Sequence, residues 1–366
     1  MFFNLRNFRN FDWVIIITAL LLFSIGVATI YSTTFGTSGS AKEAIQQGVF
    51  GLIGVIGFLV AAFFDYRTMK GWSRVLYVLT ILSLAVVLIL GKTALGATRW
   101  ISIAGFQFQP SEFAKLFLIV IMAKYFSEFA EDMHQFKRIV VSGIYFLIPA
   151  VMVLLQPDLG TALVLIVIWI AMLAVSRIKL KHFIILATAA LLLLPVSWTF
   201  MHSYQKKRII SLVNPASDPK GTGYNVSQAI IAIGSGQMLG QGLGRGTQSQ
   251  LNFIPEKNTD FIFATLAEEM GFLGAAIVLL LFAVLIARGI MIAAKSRDYF
   301  GMYLSTGIAA MLAFHVFLNV GMNLGIAPVA GIPLPLISLG GSSIVVTFVT
   351  LGILESIHIR HKKIDF

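Results

Sequence analysis

The chain contains no cysteine. That absence excludes a disulfide framework and any thiolate nucleophile or thiolate metal ligand. Charge is scarce too: 12% of the 366 residues are charged, and only 16 are acidic. The six histidines, at positions 134, 182, 202, 315, 358 and 361, include no HxxxH or HExxH spacing, so nothing points to a histidine-based metal site. No Walker A or Rossmann fingerprint occurs. There is also no basic, aromatic-interleaved soluble segment, and nucleic acid is not an expected partner despite a net charge of +11. The first apolar run lacks a small-residue cleavage site followed by a soluble domain, and is read as a retained helix.

What is present is apolar. Hydrophobic residues make up 58% of the chain and mean hydropathy is +0.89. A soluble fold of this size could not hide so much apolar surface, so the sequence predicts an all-α polytopic membrane protein forming a single integral membrane domain over 1–366. Ten runs can each form a spanning helix: 11–33, 45–64, 72–90, 112–127, 139–155, 160–176, 183–201, 261–287, 301–321 and 342–358. An even number puts both termini on one side. The termini and the connections on that side carry most Lys and Arg, among them Arg67, Lys70, Arg74, Lys137, Arg138, Arg177, Lys179, Lys181, Arg297 and Arg360, so that side is cytoplasmic.

The connections expected outside are rich in polar residues. The 202–260 loop is about 59 residues long, and loops of that length are usually functional. Residues 221–234 read as a short amphipathic helix on the membrane face. Residues 234–246 then hold six glycines in 13 positions, which suit close backbone approach and exposure of N–H groups to an anion, or simply a flexible loop. Asp260 follows where this loop meets an apolar helix; a carboxylate there is costly unless it serves a purpose. Asp260, Ala264 and Glu268 are read as one helical face, with Glu268 and Glu269 either paired internally or lining a polar cavity. Pro110 can open the fourth helix with Glu112 in its first turn and Lys115 three residues on, either a cap with a local ion pair or a functional pair entering the membrane. Arg99 beside Trp100 suits phosphate or sugar, although Trp100 alone reads as an interfacial anchor. Asp158 either caps the sixth helix or serves a site. Ser338, Gly340, Gly341 and Ser342 stand at a helix N-terminus, a ready cradle for pyrophosphate, or a turn packed against other helices. His315 is read as a satisfied interior histidine.

Six segments carry a resemblance: Gly96-Ala-Thr-Arg-Trp-Ile, Gln109-Pro-Ser-Glu-Phe-Ala-Lys-Leu, Gln156-Pro-Asp-Leu-Gly-Thr-Ala, Phe253-Ile-Pro-Glu-Lys-Asn-Thr-Asp-Phe-Ile-Phe-Ala, Glu268-Glu-Met-Gly-Phe-Leu-Gly and Pro333-Leu-Pro-Leu-Ile-Ser-Leu-Gly-Gly-Ser-Ser. In this order, across nearly the whole chain, they resemble the SEDS family (shape, elongation, division and sporulation), and its elongation-type branch more than its division-type branch. The resemblance implies a ten-helix peptidoglycan glycosyltransferase of the bacterial inner membrane. It would polymerise lipid II beside a class B penicillin-binding protein and other elongation-complex proteins. It also implies that loss of Asp260 abolishes polymerisation, and it carries the Arg-Trp pair onto Arg99 and Trp100 and the Glu-Lys pair onto Glu112 and Lys115. A lipid II transporter and a non-catalytic scaffold are the two alternatives.

Lipid II polymerisation joins the 4-hydroxyl of one N-acetylglucosamine to C1 of another chain's N-acetylmuramic acid and releases undecaprenyl pyrophosphate. An α-linked donor gives a β-linked product, so one in-line displacement suffices, with one general base and positive charge for the leaving group. Asp260 is the expected base, and partial burial should raise its pKa from the ordinary value near 3.9. Arg99, Lys115, Arg208, Arg245 and Lys257 are the candidate cations, and Glu256 neighbours them in the same motif. A divalent cation, Mg or Mn, could screen the pyrophosphate, though no dedicated cage is evident.

Overall fold

The computed structural model describes residues 10–94, 97–103, 106–201, 203–214, 218 and 221–361. Gly96 and His202, which entered the sequence reading, lie outside these residues, as do the cations Arg6, Arg9, Lys362 and Lys363 that count toward the charge of the termini.

Every one of the ten apolar runs is a helix. They are α1 (Trp13–Ser38), α2 (Lys42–Phe63), α3 (Met69–Leu90), α4 (Pro110–Glu128), α5 (Phe136–Leu155), α6 (Leu159–Val175), α7 (Leu180–Phe200), α11 (Ile262–Ala294), α12 (Tyr299–Asn323) and α13 (Gly341–Ile359). Seven are long and apolar enough to cross a bilayer by themselves; α6 and the apolar part of α7 are shorter, and α4 carries Glu112, Lys115, Lys124 and Glu128. The chain is a polytopic helical membrane protein. Three further helices, α8 (Ser203–Val213), α9 (Thr222–Ser235) and α10 (Thr247–Gln250), occupy the long loop, and α9 falls where the amphipathic pattern predicted it. Not predicted was a small antiparallel sheet, β1 (Lys92–Ala94), β2 (Ala97–Ile103) and β3 (Phe106–Phe108), in that order, with Lys92 opposite Trp100 and Ile101 opposite Phe108.

The helices form a buried centre and a lipid-facing ring. Helix α4 is enclosed along nearly its whole length and packs against α3, α6 and α12. Helices α12 and α13 are also largely buried, whereas α2 and α3 turn residues such as Leu52, Val60, Leu82 and Ile89 outward. Van der Waals packing must hold helices together in lipid, so close approach needs small residues. At the α2–α13 crossing, a Cβ on Gly352 would lie 2.4 Å from the carbonyl oxygen of Phe58.

Both described termini meet at one end of the bundle. The backbone N–H of Asp12 donates to Glu355 of α13 (2.8 Å), and Arg288 of α11 pairs with the Asp12 carboxylate (3.4 Å). The opposite end holds the sheet, α8–α10 and the connections after residues 250 and 323.

Helix α11 is two helices. Gly271 sits at φ 70°, ψ −170°, and the freed N–H groups of Phe272 and Leu273 donate to the carbonyls of Gln237 (2.8 Å) and Met238 (3.2 Å) in the glycine-rich loop. That loop thus dips into the bundle and replaces the missing helical bonds. Such irregular backbone is tolerated at membrane depth only where protein satisfies it.

Candidate functional site

A cavity of about 400 Å³ opens at the end opposite the termini. Its walls come from the head of α2 (Glu43, Gln46, Phe50), from β2 (Arg99, Trp100), from Thr259 and Asp260, and from Gly331 through the start of α13 (Gly340, Gly341, Ser342, Ser343).

Asp260 is fixed from behind. Phe261 and Ile254 are 1% exposed and pack with Val226, Ala229, Met322 and Val329, so both ends of the 254–261 turn are anchored by apolar side chains. Asn319 and Asn323, one turn apart on α12, each donate from Nδ2 to the Asp260 carbonyl (3.1 Å), and Asn319 also donates to Ile332 (2.8 Å). The same helix face therefore holds two opposite walls of the cavity. Ser338 donates to the carbonyl of Thr259 (2.7 Å), which ties the third wall to the same turn. Asp260 precedes α11, so the reading of Asp260 and Glu268 as one helical face fails. The carboxylate turns to the cavity, and Glu268 points elsewhere.

Around Gly331 (φ 69°) three charged groups converge. A Cβ there would stand 3.3 Å from Arg99 Nη1, 3.6 Å from Asp260 Oδ2 and 3.8 Å from Arg208 Nη1. Arg99 is 6% exposed, donates to the Pro157 carbonyl (2.7 Å) and pairs with Asp158 (3.7 Å). Asp158 caps α6 through Thr161 (N 3.1 Å, Oγ1 2.9 Å), so it both starts that helix and orients Arg99. Arg208 reaches the same point from α8, past a smaller cavity of about 50 Å³. Arg99 Nε and Arg208 Nη1 are buried without a hydrogen-bond partner. Buried donors are normally satisfied; here two under-bonded guanidinium groups meet beside Gly331, Arg99 on the wall of the larger cavity and Arg208 on that of the smaller, an arrangement suited to an anion.

Burial pushes the Asp260 carboxyl up to about 6, Glu256 adds to the rise, and Arg208 and Arg99 oppose it. Burial likewise pulls the Arg208 guanidinium down, as does Arg99, while Asp260 opposes. Asp260 keeps partial contact with the cavity, which a base needs for proton exchange.

Six of the expected residues line this cavity: Arg99, Trp100, Asp260, Gly340, Gly341 and Ser342. Asp158, Arg208 and Ser338 support it. Glu112 and Lys115 do not reach it. Lys115 Nζ donates to Glu112 (2.7 Å) and meets His315 Nε2 (3.0 Å), and all three side chains are buried within the bundle. The leaving-group role expected of Lys115 is therefore not supported by its position. Lys257 is also turned away, its ammonium donating to the Ser249 carbonyl (2.7 Å) and to Asn252 (2.8 Å); burial lowers its pKa. Glu256 is exposed and accepts from Thr259, and Arg245 is exposed on the glycine-rich loop.

That loop is an anion cradle whose anions are the protein's own. Glu268 accepts from the N–H groups of Gln248 (2.7 Å) and Ser249 (3.0 Å), and Glu269 accepts from Gly244 N (3.0 Å) and Ser32 Oγ (2.6 Å). The reading of its glycines as open to a ligand is corrected accordingly. The head of α2 went unread, although Glu43, Gln46 and Gln47 fall at helical spacing in its first two turns and break an apolar pattern, with Phe50 one turn further on the same face. Gln47 bridges Ser338 O (3.0 Å) and Gly340 N (3.3 Å), and Glu43 accepts from Asn258 (2.7 Å). Among the described residues, no group of three or more histidine, aspartate or glutamate side chains is arranged to hold a metal ion.

Residues 12–363 match the family model of FtsW, RodA and SpoVE, described as cell cycle protein. The chain is 38% identical to the peptidoglycan glycosyltransferase MrdB of Escherichia coli (strain K12) over 96% of its own length and 94% of the relative's. It is 37% identical to stage V sporulation protein E of Bacillus subtilis (strain 168), over 94% and 96%. Its fold is similar to a chain of a solved peptidoglycan synthase complex that coordinates polymerisation and crosslinking (TM-score 0.81, 28% identity, 96% and 98% covered). It is also similar to the rod shape determining protein RodA of Thermus thermophilus (TM-score 0.69, 26% identity, 95% and 96% covered).

Proposed function

The chain belongs to the FtsW, RodA and SpoVE family of cell cycle proteins, and from that premise we propose that it is a peptidoglycan glycosyltransferase that extends glycan strands from lipid II during cell elongation. The observation that carries the reading is the meeting of one raised carboxylate and two under-bonded guanidinium groups at Gly331, in a cavity whose size suits part of a polar ligand.

Asp260 accepts the proton of the acceptor's 4-hydroxyl. Oxygen 4 forms a bond to C1 of the donor as the bond from C1 to the pyrophosphate oxygen breaks, and undecaprenyl pyrophosphate leaves. Arg99 and Arg208 offer the N–H groups and charge that the leaving diphosphate requires. The N–H groups at the start of α13 face the same cavity and supply a second anion-binding end. Positive charge fixed before the reaction stabilises the charge that develops on the leaving group. Glu112, Lys115 and His315 hold the bundle through their buried polar contacts and take no part in the transfer in this scheme.

The chain works beside a class B penicillin-binding protein that crosslinks the strands, within the elongation complex. It lies in the bacterial inner membrane with both termini cytoplasmic, and the cavity therefore faces outward; the distribution of Lys and Arg supports this orientation.

The test incubates purified protein with lipid II, with and without its penicillin-binding protein carrying an inactive glycosyltransferase site, alongside Asp260→Asn. Glycan strands from the wild type and a loss of about 100-fold or more in the variant are expected, the range for removing a positioned base. Equal strands from a well-inserted Asp260→Asn protein would remove Asp260 from the mechanism. No strands from either, with the complex intact, would favour lipid transport or scaffolding.

A further inference from the structure

A second cavity, of about 630 Å³, lies at the end of the bundle where the termini meet. It is bounded by the entrance to α3 (Arg67, Lys70), the last turn of α4 (Ser127) and the connection into α12 (Arg297, Asp298, Tyr299). Nothing in the proposed reaction uses it.

Its charge is unbalanced. Three cations and one carboxylate face it, for a net of +2. The single carboxylate is fully engaged: Asp298 accepts from Tyr66 Oη (2.6 Å), pairs with Arg67 (3.3 Å) and caps α12 through Gly301 N (2.7 Å). Lys70 and Arg297 make no ion pair among the described residues. The Ser127 and Tyr299 hydroxyls also line it, but each already donates within the protein, to the Lys124 carbonyl (2.8 Å) and to Glu131 (3.3 Å), so the cations are the groups left for an oxyanion.

Its depth is fixed by aromatic side chains. Trp72 is 57% exposed and Tyr299 42% exposed, and the Trp72 ring lies 5.6 Å from that of Phe64. Exposed tryptophan and tyrosine mark the membrane–water boundary. Immediately beyond them α3 presents Val75, Val78, Leu79 and Leu82 outward. The cations of the cavity thus stand at headgroup level, and α3 continues from there into the bilayer with an exposed apolar face. A basic recess between helices at that level is the arrangement that retains anionic lipid headgroups.

We propose that this cavity binds the phosphodiester headgroup of an anionic phospholipid, with Lys70 and Arg297 as its free cations and Arg67 as the third. The site is independent of the proposed polymerase reaction; only the leaflet it occupies rests on the orientation given above.

The experiment titrates the purified full-length protein with phosphatidylglycerol or phosphatidylcholine in detergent and counts bound lipids by native mass spectrometry. Three proteins are compared: wild type, Lys70→Gln/Arg297→Gln, and a charge-matched control, Lys137→Gln/Lys179→Gln, whose cations are exposed elsewhere at the same end. The wild type and control should prefer phosphatidylglycerol. The Lys70→Gln/Arg297→Gln protein should bind it roughly 25-fold more weakly, at about fivefold per cation near a membrane surface. Millimolar inorganic phosphate should not displace the lipid. The proposal is overturned if the wild type does not distinguish the two lipids, if the two double variants behave alike, or if inorganic phosphate competes as well as the lipid does.

Discussion

Asp260 owes its role to where its neighbours end. A carboxyl on an exposed loop would titrate near 3.8; here burial and Glu256 raise it to about 6 against the pull of Arg208 and Arg99. A base works only when deprotonated, so a raised pKa removes activity from the acid side. Polymerisation should rise with pH through a midpoint near 6 and level off above it, as measured by initial rates of strand formation between pH 5 and 8. A profile flat across that window would mean that Asp260 does not carry the proton. Gly331 is the matching requirement on the opposite wall. Its φ of 69° disfavours any L side chain, and a methyl group would enter the space between Arg99, Asp260 and Arg208. Gly331→Ala should cost about 1 kcal/mol of stability from backbone strain and reduce polymer yield by a larger factor than that loss explains. Melting temperature and yield per folded molecule, measured together, check it.

Among elements, the helices were legible and their exceptions were not. Lipid imposes about 20 apolar residues on each span, and that constraint wrote all ten into the sequence, even α6 and α7, whose apolar stretches are shorter. The sheet left no such mark, because strands as short as Lys92–Ala94 and Phe106–Phe108 have no room for an alternating pattern. The glycine-rich loop reads either as N–H groups open to an anion or as a flexible loop; the anions that fill it sit some 20 residues later inside an apolar run, and only the folded chain brings them back. The convergence of Arg208 with Arg99 at Gly331 was hidden for the same reason: they come from α8, β2 and the connection after α12. In contrast, the stripe Glu43, Gln46, Gln47 and Phe50 was present to be read. The cradle also makes a prediction. Each carboxylate accepts charge-assisted hydrogen bonds, worth about 1.5–3 kcal/mol apiece when intact. Glu268→Gln should loosen residues 236–250 and raise their amide hydrogen exchange, with little change in α12. Unchanged exchange in that loop would show that other contacts hold it.

Across the whole molecule, the two ends carry different tasks. One holds the cavity with Asp260. The other gathers the start of α1 and the ends of α11 and α13 through Asp12, Arg288 and Glu355. Glu355 is fully buried and one of its oxygens has no hydrogen-bond partner, so removing the side chain frees the Asp12 N–H while also relieving a buried charge. Glu355→Gln, which keeps an acceptor, should leave the melting temperature nearly unchanged; Glu355→Ala should lower stability by about 1–3 kcal/mol, the cost of an unsatisfied buried group. Neither should alter the pH midpoint of polymerisation, since both act at the far end. The same clasp has a bearing on how the protein is made. The ribosome delivers Asp12 343 residues before Glu355, so the first helix waits, its opening turn unclasped, until the thirteenth has been inserted. The glycine-rich loop waits in the same way for Glu268 and Glu269. Assembly in the membrane must therefore finish from both directions at once, and a chain released early would carry Asp260, Arg99 and Arg208 and still lack the contacts that hold its first and thirteenth helices together at one end of the bundle.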